Sequence, residues 1–139
     1  MNEAKVTRSV IKFLKADNWE IISYDLPQMG TGTLLQNEGV IKKNEGTIIP
    51  DVFAYKNGKV LLCESKSYFS KNDVEKLLEL KKGEFNKSIS KQLVSRNFNE
   101  LILTISFPKI KFSDKHNFRD LDVVFLVEKN NCEPLFLNN

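Results

Sequence analysis

The stretch "IIPDVFAYKNGKVLLCESK", residues 48–66, decides the fold of this chain. Asn57 and Gly58 separate two runs that are rich in β-branched and aromatic residues. Asn-Gly between such runs is the strongest short-range signal for a β-hairpin, because both central positions of a type I′ turn require a positive φ. We therefore predict two strands, at 47–55 and 59–66, joined by a tight turn.

The same turn predicts which residues of the two strands lie opposite each other. Counting back from the two central turn residues places Asp51 directly opposite Glu64. The Cβ atoms of opposed residues are about 4.5 to 5.5 Å apart, and Lys66, two residues after Glu64, projects from the same face. A bulge or a longer turn shifts the register by one residue and breaks this opposition.

Two opposed acids among apolar neighbours are unfavourable unless something compensates their charge. A divalent cation is the natural compensation, since Mg²⁺ takes carboxylate oxygens and keeps several waters. The carbonyl group of Cys63 is a further candidate ligand, and Lys66 offers a positive charge for an attacking water or for developing phosphate charge. The alternative is an acid–lysine pair on a solvent-facing sheet surface. The apolar run "VLLCE" disfavours that alternative, because an exposed face shows more polar residues.

The rest of the chain predicts a mixed α/β domain that spans residues 1–139. Apolar residues at helical spacing predict a helix over 3–16, with Asn2 as its N-cap. The remaining predicted elements are a strand at 19–26, a glycine-containing loop at 27–46, helices at 71–82 (with Asn72 or Asp73 near the cap and Gly83 as a stop) and 85–95, strands at 100–107 and 121–128, and a short strand in "EPLFL".

Composition narrows the class of protein. The 139 residues are 41% hydrophobic and 28% charged, as in a soluble globular protein. No apolar run reaches the 18 or so residues of a membrane span, and the N-terminus lacks a signal-peptide core, so we expect no membrane partner and a cytoplasmic location. With Cys63, Cys132 and His116 as the whole set of Cys and His residues, a zinc site is nearly excluded and both thiols are expected to be reduced. The polar "SDKHNF" context of His116 disfavours Ser-His-Asp chemistry.

Basic residues are unevenly distributed along the chain, although its net charge is only +3. The stretch 81–96 holds five basic residues and one acid. The stretch 109–119 holds four basic residues and one acid, Asp114. Such clusters favour a polyanionic partner. A well-solvated, lysine-rich helix face explains the charge pattern equally well.

These residues resemble the motif of the PD-(D/E)XK nuclease superfamily, which includes restriction endonucleases and Holliday-junction resolvases. Pro50-Asp51 and Glu64-Ser65-Lys66 match the motif, and the predicted order of elements over 3–107 is similar to that family's core. The resemblance implies an α/β, restriction-endonuclease-like core, with a mixed central β-sheet flanked by helices. It also implies hydrolysis of phosphodiester bonds with Mg²⁺ (or Mn²⁺).

Carried over to this sequence, the resemblance makes Asp51, Glu64 and Lys66 the catalytic residues, and Asp51 and Glu64 ligands of the metal. Glu3 lies at the head of the first helix, where many members have an acid that completes the metal site. The position of Glu3 has a second explanation, since acids at a helix start interact favourably with the helix dipole. The candidate DNA-binding residues are Arg8, Lys87, Lys91 and Gln92, of which Gln92 could equally be an ordinary polar helix residue.

Three functions stay open at this point. A restriction-type DNA endonuclease is expected to be a homodimer, because cutting both strands needs two sites. A Holliday-junction resolvase or another structure-specific nuclease suits the chain length, but the long loop 27–46 departs from the resolvase pattern. A nucleic-acid-binding module without activity is the alternative of a different class, and the intact Asp51, Glu64 and Lys66 argue against it.

Overall fold

A computed structural model describes residues 1–27, 29–37 and 46–137 of the chain. Its helices are α1 (Glu3–Ala16), α2 (Lys71–Leu78) and α3 (Asn86–Lys91), with 3₁₀ turns at Glu79–Lys82 and Lys109–Lys111. Its strands are β1 (Glu20–Tyr24), β2 (Leu35–Gln36), β3 (Thr47–Ile48), β4 (Val52–Lys56), β5 (Lys59–Ser65), β6 (Glu100–Pro108), β7 (Val123–Glu128) and β8 (Asn131–Phe136).

Six of these strands form one mixed sheet in the order β1-β4-β5-β6-β7-β8. The pairs β1–β4, β4–β5 and β7–β8 are antiparallel, whereas β5, β6 and β7 run parallel. The predicted mixed α/β fold with a central mixed sheet flanked by helices is therefore confirmed. Strands β2 and β3 form a separate two-stranded sheet.

The sheet is covered on both faces. On one face, α1 buries Val6, Val10 and Leu14 against Ala54 and Leu61. On the other face, residues of α2, α3 and the segment between them join a second core with the alternate residues of the same strands, including Phe53, Leu62, Val74, Leu77 and Ile89. The alternation of side chains along β4 and β5 produces this division. Burial on both faces explains why β5 reads as a nearly continuous apolar run.

The hairpin prediction is confirmed in its turn and register. Lys56 pairs with Lys59, and the ladder continues to Val52 and Cys63. Asn57 and Gly58 both have positive φ, at 48° and 82°. The predicted first strand is wrong in extent, since 47–55 divides into β3 and β4. Pro50, between them, has no N–H to donate to a ladder.

Other boundaries differ from the sequence predictions for local reasons. The N-cap of α2 is Ser70, whose hydroxyl accepts the Asp73 N–H at 3.2 Å, so Asn72 and Asp73 lie in the first turn, near the cap as predicted. The predicted helix at 71–82 continues beyond α2 as a 3₁₀ turn that ends at Gly83, with φ of 86°. The helix predicted at 85–95 is shortened to α3. Part of the predicted loop 27–46, residues 28 and 38–45, lies outside the described residues.

The N-terminal helix matches its prediction in full. Asn2 is its N-cap, and the Asn2 side chain accepts the Lys5 N–H at 2.8 Å. Among residues 1–27, 29–37 and 46–137, no helix combines the length and the apolar character needed to cross a membrane. Cys63 and Cys132 are free thiols, as the composition predicts.

Candidate active site

Asp51 and Glu64 meet at the end of the hairpin, although the regular ladder stops one step before them. The Asp51 N–H donates to the Cys63 carbonyl at 3.0 Å, and the Asp51 carboxylate accepts the Ser65 N–H at 2.7 Å. This irregularity just before β4 replaces the regular opposed pair that the turn predicts. Asp51 and Glu64 nevertheless lie close enough for each to shift the pKa of the other. The strands thus bring both predicted acids together by a different backbone path.

Glu64 is the more deeply buried of the two acids. Its side chain projects into the α2 face of the sheet, and the residue is only 5% exposed. Burial, followed by the negative charge of Asp51, raises the pKa of Glu64 to about 8. Burial also raises the pKa of Asp51, against the lowering effect of the Ser65 N–H bond. With a pKa of about 8, Glu64 is largely protonated at neutral pH in the metal-free protein.

Lys76 contacts this acid pair, whereas Lys66 pairs with Glu3. Lys76 Nζ, on α2, lies 3.3 Å from Glu64 Oε1 and lowers the pKa of that carboxyl group against the larger effect of burial. Lys66, just beyond β5, has its Nζ 3.6 Å from Glu3 Oε1. Burial lowers the pKa of Lys66, but the charges of Asp73 and Glu3 outweigh it and raise that pKa, so Lys66 stays a cation.

The sequence reasoning missed Asp73 and Lys76 as members of the site. Asp73 is buried, and its Oδ2 has no hydrogen-bond partner among the described residues. Its charge raises the pKa values of both Glu64 and Lys66. The signal was present in the sequence, because Ser70 caps the helix three residues before Asp73. That spacing, read as a cap, would have placed Asp73 and Lys76 on the same side of α2.

The donor set fits a divalent cation held by two carboxylates and waters. Within the described parts of the chain, no group of three or more His, Cys, Asp and Glu side chains is placed to hold a metal ion. The two adjacent acids remain, and their raised pKa values show that their negative charge is poorly compensated by the protein. A hard cation with bound water needs no more than one or two carboxylates from the protein.

The other two predicted metal ligands have different surroundings. Glu3 pairs with Lys66, yet it lies close enough to Asp51 for its charge to raise the pKa of that residue. The Cys63 carbonyl accepts the Asp51 N–H, and its buried thiol donates toward Ser106 Oγ at 3.5 Å. Burial raises the pKa of the Cys63 thiol well above its ordinary value, so it is not a thiolate ligand. A metal-binding role for Glu3 and for the Cys63 carbonyl stays a prediction.

The predicted DNA-binding residues lie on two helices. Arg8 is exposed on α1, outside its buried stripe. Lys87 and Lys91 are exposed on α3, and Gln92 is the half-buried C-cap of that helix. The Ser88 hydroxyl anchors α3 by accepting the Gln36 N–H at 3.0 Å. DNA binding by these four residues stays a prediction.

Acids pair with several residues of the two basic stretches. Lys82 Nζ lies 3.0 Å from Glu79, and Lys109 Nζ lies 3.0 Å from Glu133. Exposed pairs of this kind contribute little to stability, but they reduce the positive charge that a polyanion would meet. His116, from the second stretch, stacks on Phe69 with ring centroids 4.2 Å apart, so it packs against the core rather than lying free on the surface.

Two comparisons with known proteins found no match for this chain. No protein-family model matches the chain, and a search of curated proteins finds no similar one.

Proposed function

We propose that this chain is a divalent-metal-dependent DNA endonuclease with a restriction-endonuclease-like core, acting as a homodimer. The observation that carries the proposal is the buried acid pair of Asp51 and Glu64 on the β4–β5 hairpin, with the cationic Lys66 at the end of the same strand. Burying two adjacent acids is costly for the fold. A cation-binding role accounts for that cost.

The position of the acids in the sheet supports the same proposal. Glu64 and Ser65 end β5, and β5 runs parallel to β6 and β7. Ligands of α/β proteins bind beyond the carboxyl ends of parallel strands. Strand β5 is paired on both sides, with β4 and β6, so the acids are held on a rigid part of the scaffold.

The residues divide the chemistry among them. Once the Glu64 proton is lost, Asp51 and Glu64 would hold Mg²⁺ (or Mn²⁺), which would lower the pKa of bound water and polarise a phosphoryl oxygen. The Ser65 N–H fixes the orientation of the Asp51 carboxylate. The Lys66 ammonium stabilises negative charge that develops on the phosphate, and Glu3 and Asp73 keep that ammonium charged.

One observation favours the module without activity. Lys76 Nζ already lies 3.3 Å from Glu64 Oε1, so the site has a positive charge of its own. In an enzyme, cation binding would have to displace this ammonium. In an inactive module, the Lys76–Glu64 pair would be the permanent state.

A cleavage assay separates the two functions. We expect Mg²⁺-dependent cutting of at least one of four substrates: plasmid, linear duplex, branched DNA or RNA. Asp51→Asn and Glu64→Gln should each lower the rate at least about a hundredfold, since changes to outer-shell partners alone cost 10- to 100-fold. Glu75→Gln, an exposed acid on the same helix as Lys76, is the matched control and should retain full activity.

Two results would contradict the proposal. Cleavage that persists in EDTA or in Asp51→Asn argues against a metal held by these acids. Salt-sensitive binding without cleavage of any substrate supports the inactive module. Sedimentation of the protein with and without DNA tests the homodimer.

A further inference from the structure

A cleft near the candidate active site is lined by apolar and basic residues that have no part in the acid pair. It lies at the carboxyl ends of β6 and β7 and has a volume of about 570 Å³. Met1, Ile110 and Val127 give it an apolar surface, and Lys109, Lys111 and Lys129 contribute positive charge. We call it the strand-end cleft. Its volume is in the range of pockets that bind small organic groups.

The strand-end cleft adjoins the acids through the chain on both sides. Ser67, which lines the cleft, directly follows Lys66, and Met1 lies two residues before Glu3. Lys66 and Glu3 are themselves an ion pair. The cleft is therefore lined by residues that are neighbours in sequence of this ion pair.

The cleft combines two properties that are seldom found together on a surface. Ile110 is 89% exposed, an unusual degree for a large aliphatic side chain. Lys111 and Lys129 have no ion pair within the described residues, whereas Lys109 is held by Glu133 and Glu128. An apolar surface beside two lysines without ion pairs complements the apolar face of a base and its flanking phosphates.

Lys129 also has a backbone conformation that its residue type disfavours. It lies in the turn between β7 and β8 with φ of 55°, where glycine or asparagine is preferred. A lysine at this position costs stability that a glycine would not. Its ammonium group at the rim of the cleft is consistent with a functional reason for that cost.

We propose that the strand-end cleft binds one unpaired base of the substrate strand, next to the phosphodiester bond that is cut. A base can reach such a cleft only when it is outside a duplex stack. The substrate class is then single-stranded DNA, or duplex DNA with an unpaired end, flap or loop. This inference rests on the proposed nuclease function and narrows its substrate.

The test measures binding in EDTA, so that no cleavage occurs. The two probes are a fluorescent twelve-nucleotide oligo(dT) and an abasic oligonucleotide of the same length and charge. We expect the wild-type protein to bind the oligo(dT) about tenfold more tightly, because burying about 50 Å² of the apolar surface of a base corresponds to a change of that size in Kd. Ile110→Ser should remove most of this difference, and its folding should be unaffected because the side chain is exposed.

Two further variants separate the base from the phosphates. Lys111→Gln should weaken binding of both probes by the same factor and lower the salt slope by about 0.7. Phe136→Ser is the matched control, because Phe136 is 73% exposed on β8 near the opposite end of β7. That variant should bind both probes as the wild-type protein does.

Equal binding of the two probes by the wild-type protein would overturn the inference. So would an unchanged preference in Ile110→Ser, or an Ile110→Ser protein that differs only in its oligomeric state, since the cleft would then be an interface between copies. The proposed function fails separately, by the absence of Asp51-dependent cleavage. Base-dependent binding in EDTA can be present or absent whether or not the protein cleaves DNA, so the two failures are distinguishable.

Discussion

At the scale of single residues, Glu64 shows how the fold changes the chemistry of an acid. The sequence places it in an apolar strand, and the structure adds the depth of its burial and the partners around it. Because burial and Asp51 raise its pKa to about 8, folding without a cation leaves the group protonated at neutral pH. A bound cation would have to displace that proton, so metal binding and proton release are linked.

We expect the metal-free protein to lose stability as the pH rises. A carboxyl group whose pKa is raised on folding favours the folded state fully below its ordinary pKa of 4.5, and this contribution is lost as the pH passes through about 8. The free energy of unfolding should fall by up to about 1.4 kcal/mol per pH unit within that window. Urea denaturation at several pH values in EDTA measures the slope. Glu64→Gln should flatten it, and an equal slope in that variant would show that other groups are responsible.

Asp51→Asn should stabilise the metal-free protein at pH 8 while it abolishes metal binding. The substitution removes a negative charge beside Glu64, and the asparagine oxygen can still accept the Ser65 N–H. We expect a gain of about 1 kcal/mol without metal and no further rise in melting temperature with Mg²⁺. The wild-type protein should be less stable than this variant without metal, and its melting temperature should rise with Mg²⁺. Asp114→Asn, an exposed acid, is the control and should behave as the wild type.

At the scale of elements, the β4–β5 hairpin carries the site and is the part that local sequence predicts best. Its turn, register and two apolar faces follow from Asn57-Gly58 and from strand alternation. Tertiary contacts decide what local signals miss. The break at Pro50 and the hydrogen bond from Asp51 to Cys63 change the path of the chain before β4. Lys76 reaches Glu64 only because α2 packs on that face of the sheet.

Gly58→Ala should destabilise the protein by about 1 to 2 kcal/mol. Gly58 has φ of 82°, a conformation that a residue with a Cβ atom adopts at a cost. A Cβ atom there would also lie 3.4 Å from Asn99 Oδ1, so crowding adds little and backbone strain dominates. Asn57→Gly is the matched control, and it should change the free energy of unfolding by less than about 1 kcal/mol. Urea denaturation of both variants gives the comparison, and equal losses would locate the effect elsewhere.

At the scale of the whole molecule, the sheet combines antiparallel pairs between strands that are close in sequence with parallel pairs between strands that are distant in sequence. The sequence predicts the presence of β6 and β7, since each is a long apolar run. It does not predict that they run parallel to β5, because parallel pairing depends on the path of the residues that connect the strands. The position of the strand-end cleft beside the acids depends on that pairing, which is why the sequence alone gives no sign of it.

This mixed pairing of β5 has a consequence for the order of folding. Strand β5 meets β4 across a two-residue turn, but it meets β6 only after the chain has crossed from Lys66 to Asn99. Hairpins form in microseconds, whereas long-range parallel pairing is slow. We therefore expect the two acids to come together early, in water, and to become buried late.

Proton uptake should accordingly mark the last step of folding. Near pH 6.5 Glu64 is ionised in the unfolded chain and protonated in the native protein, so folding without metal takes up about one proton. Stopped-flow refolding in weak buffer with an indicator dye should show this uptake in the slow phase, and Glu64→Gln should lack it. Uptake within the mixing time would mean that the acids are already buried in the collapsed chain. Proton uptake by Glu64 would then report the moment at which the candidate active site becomes buried, without any added label.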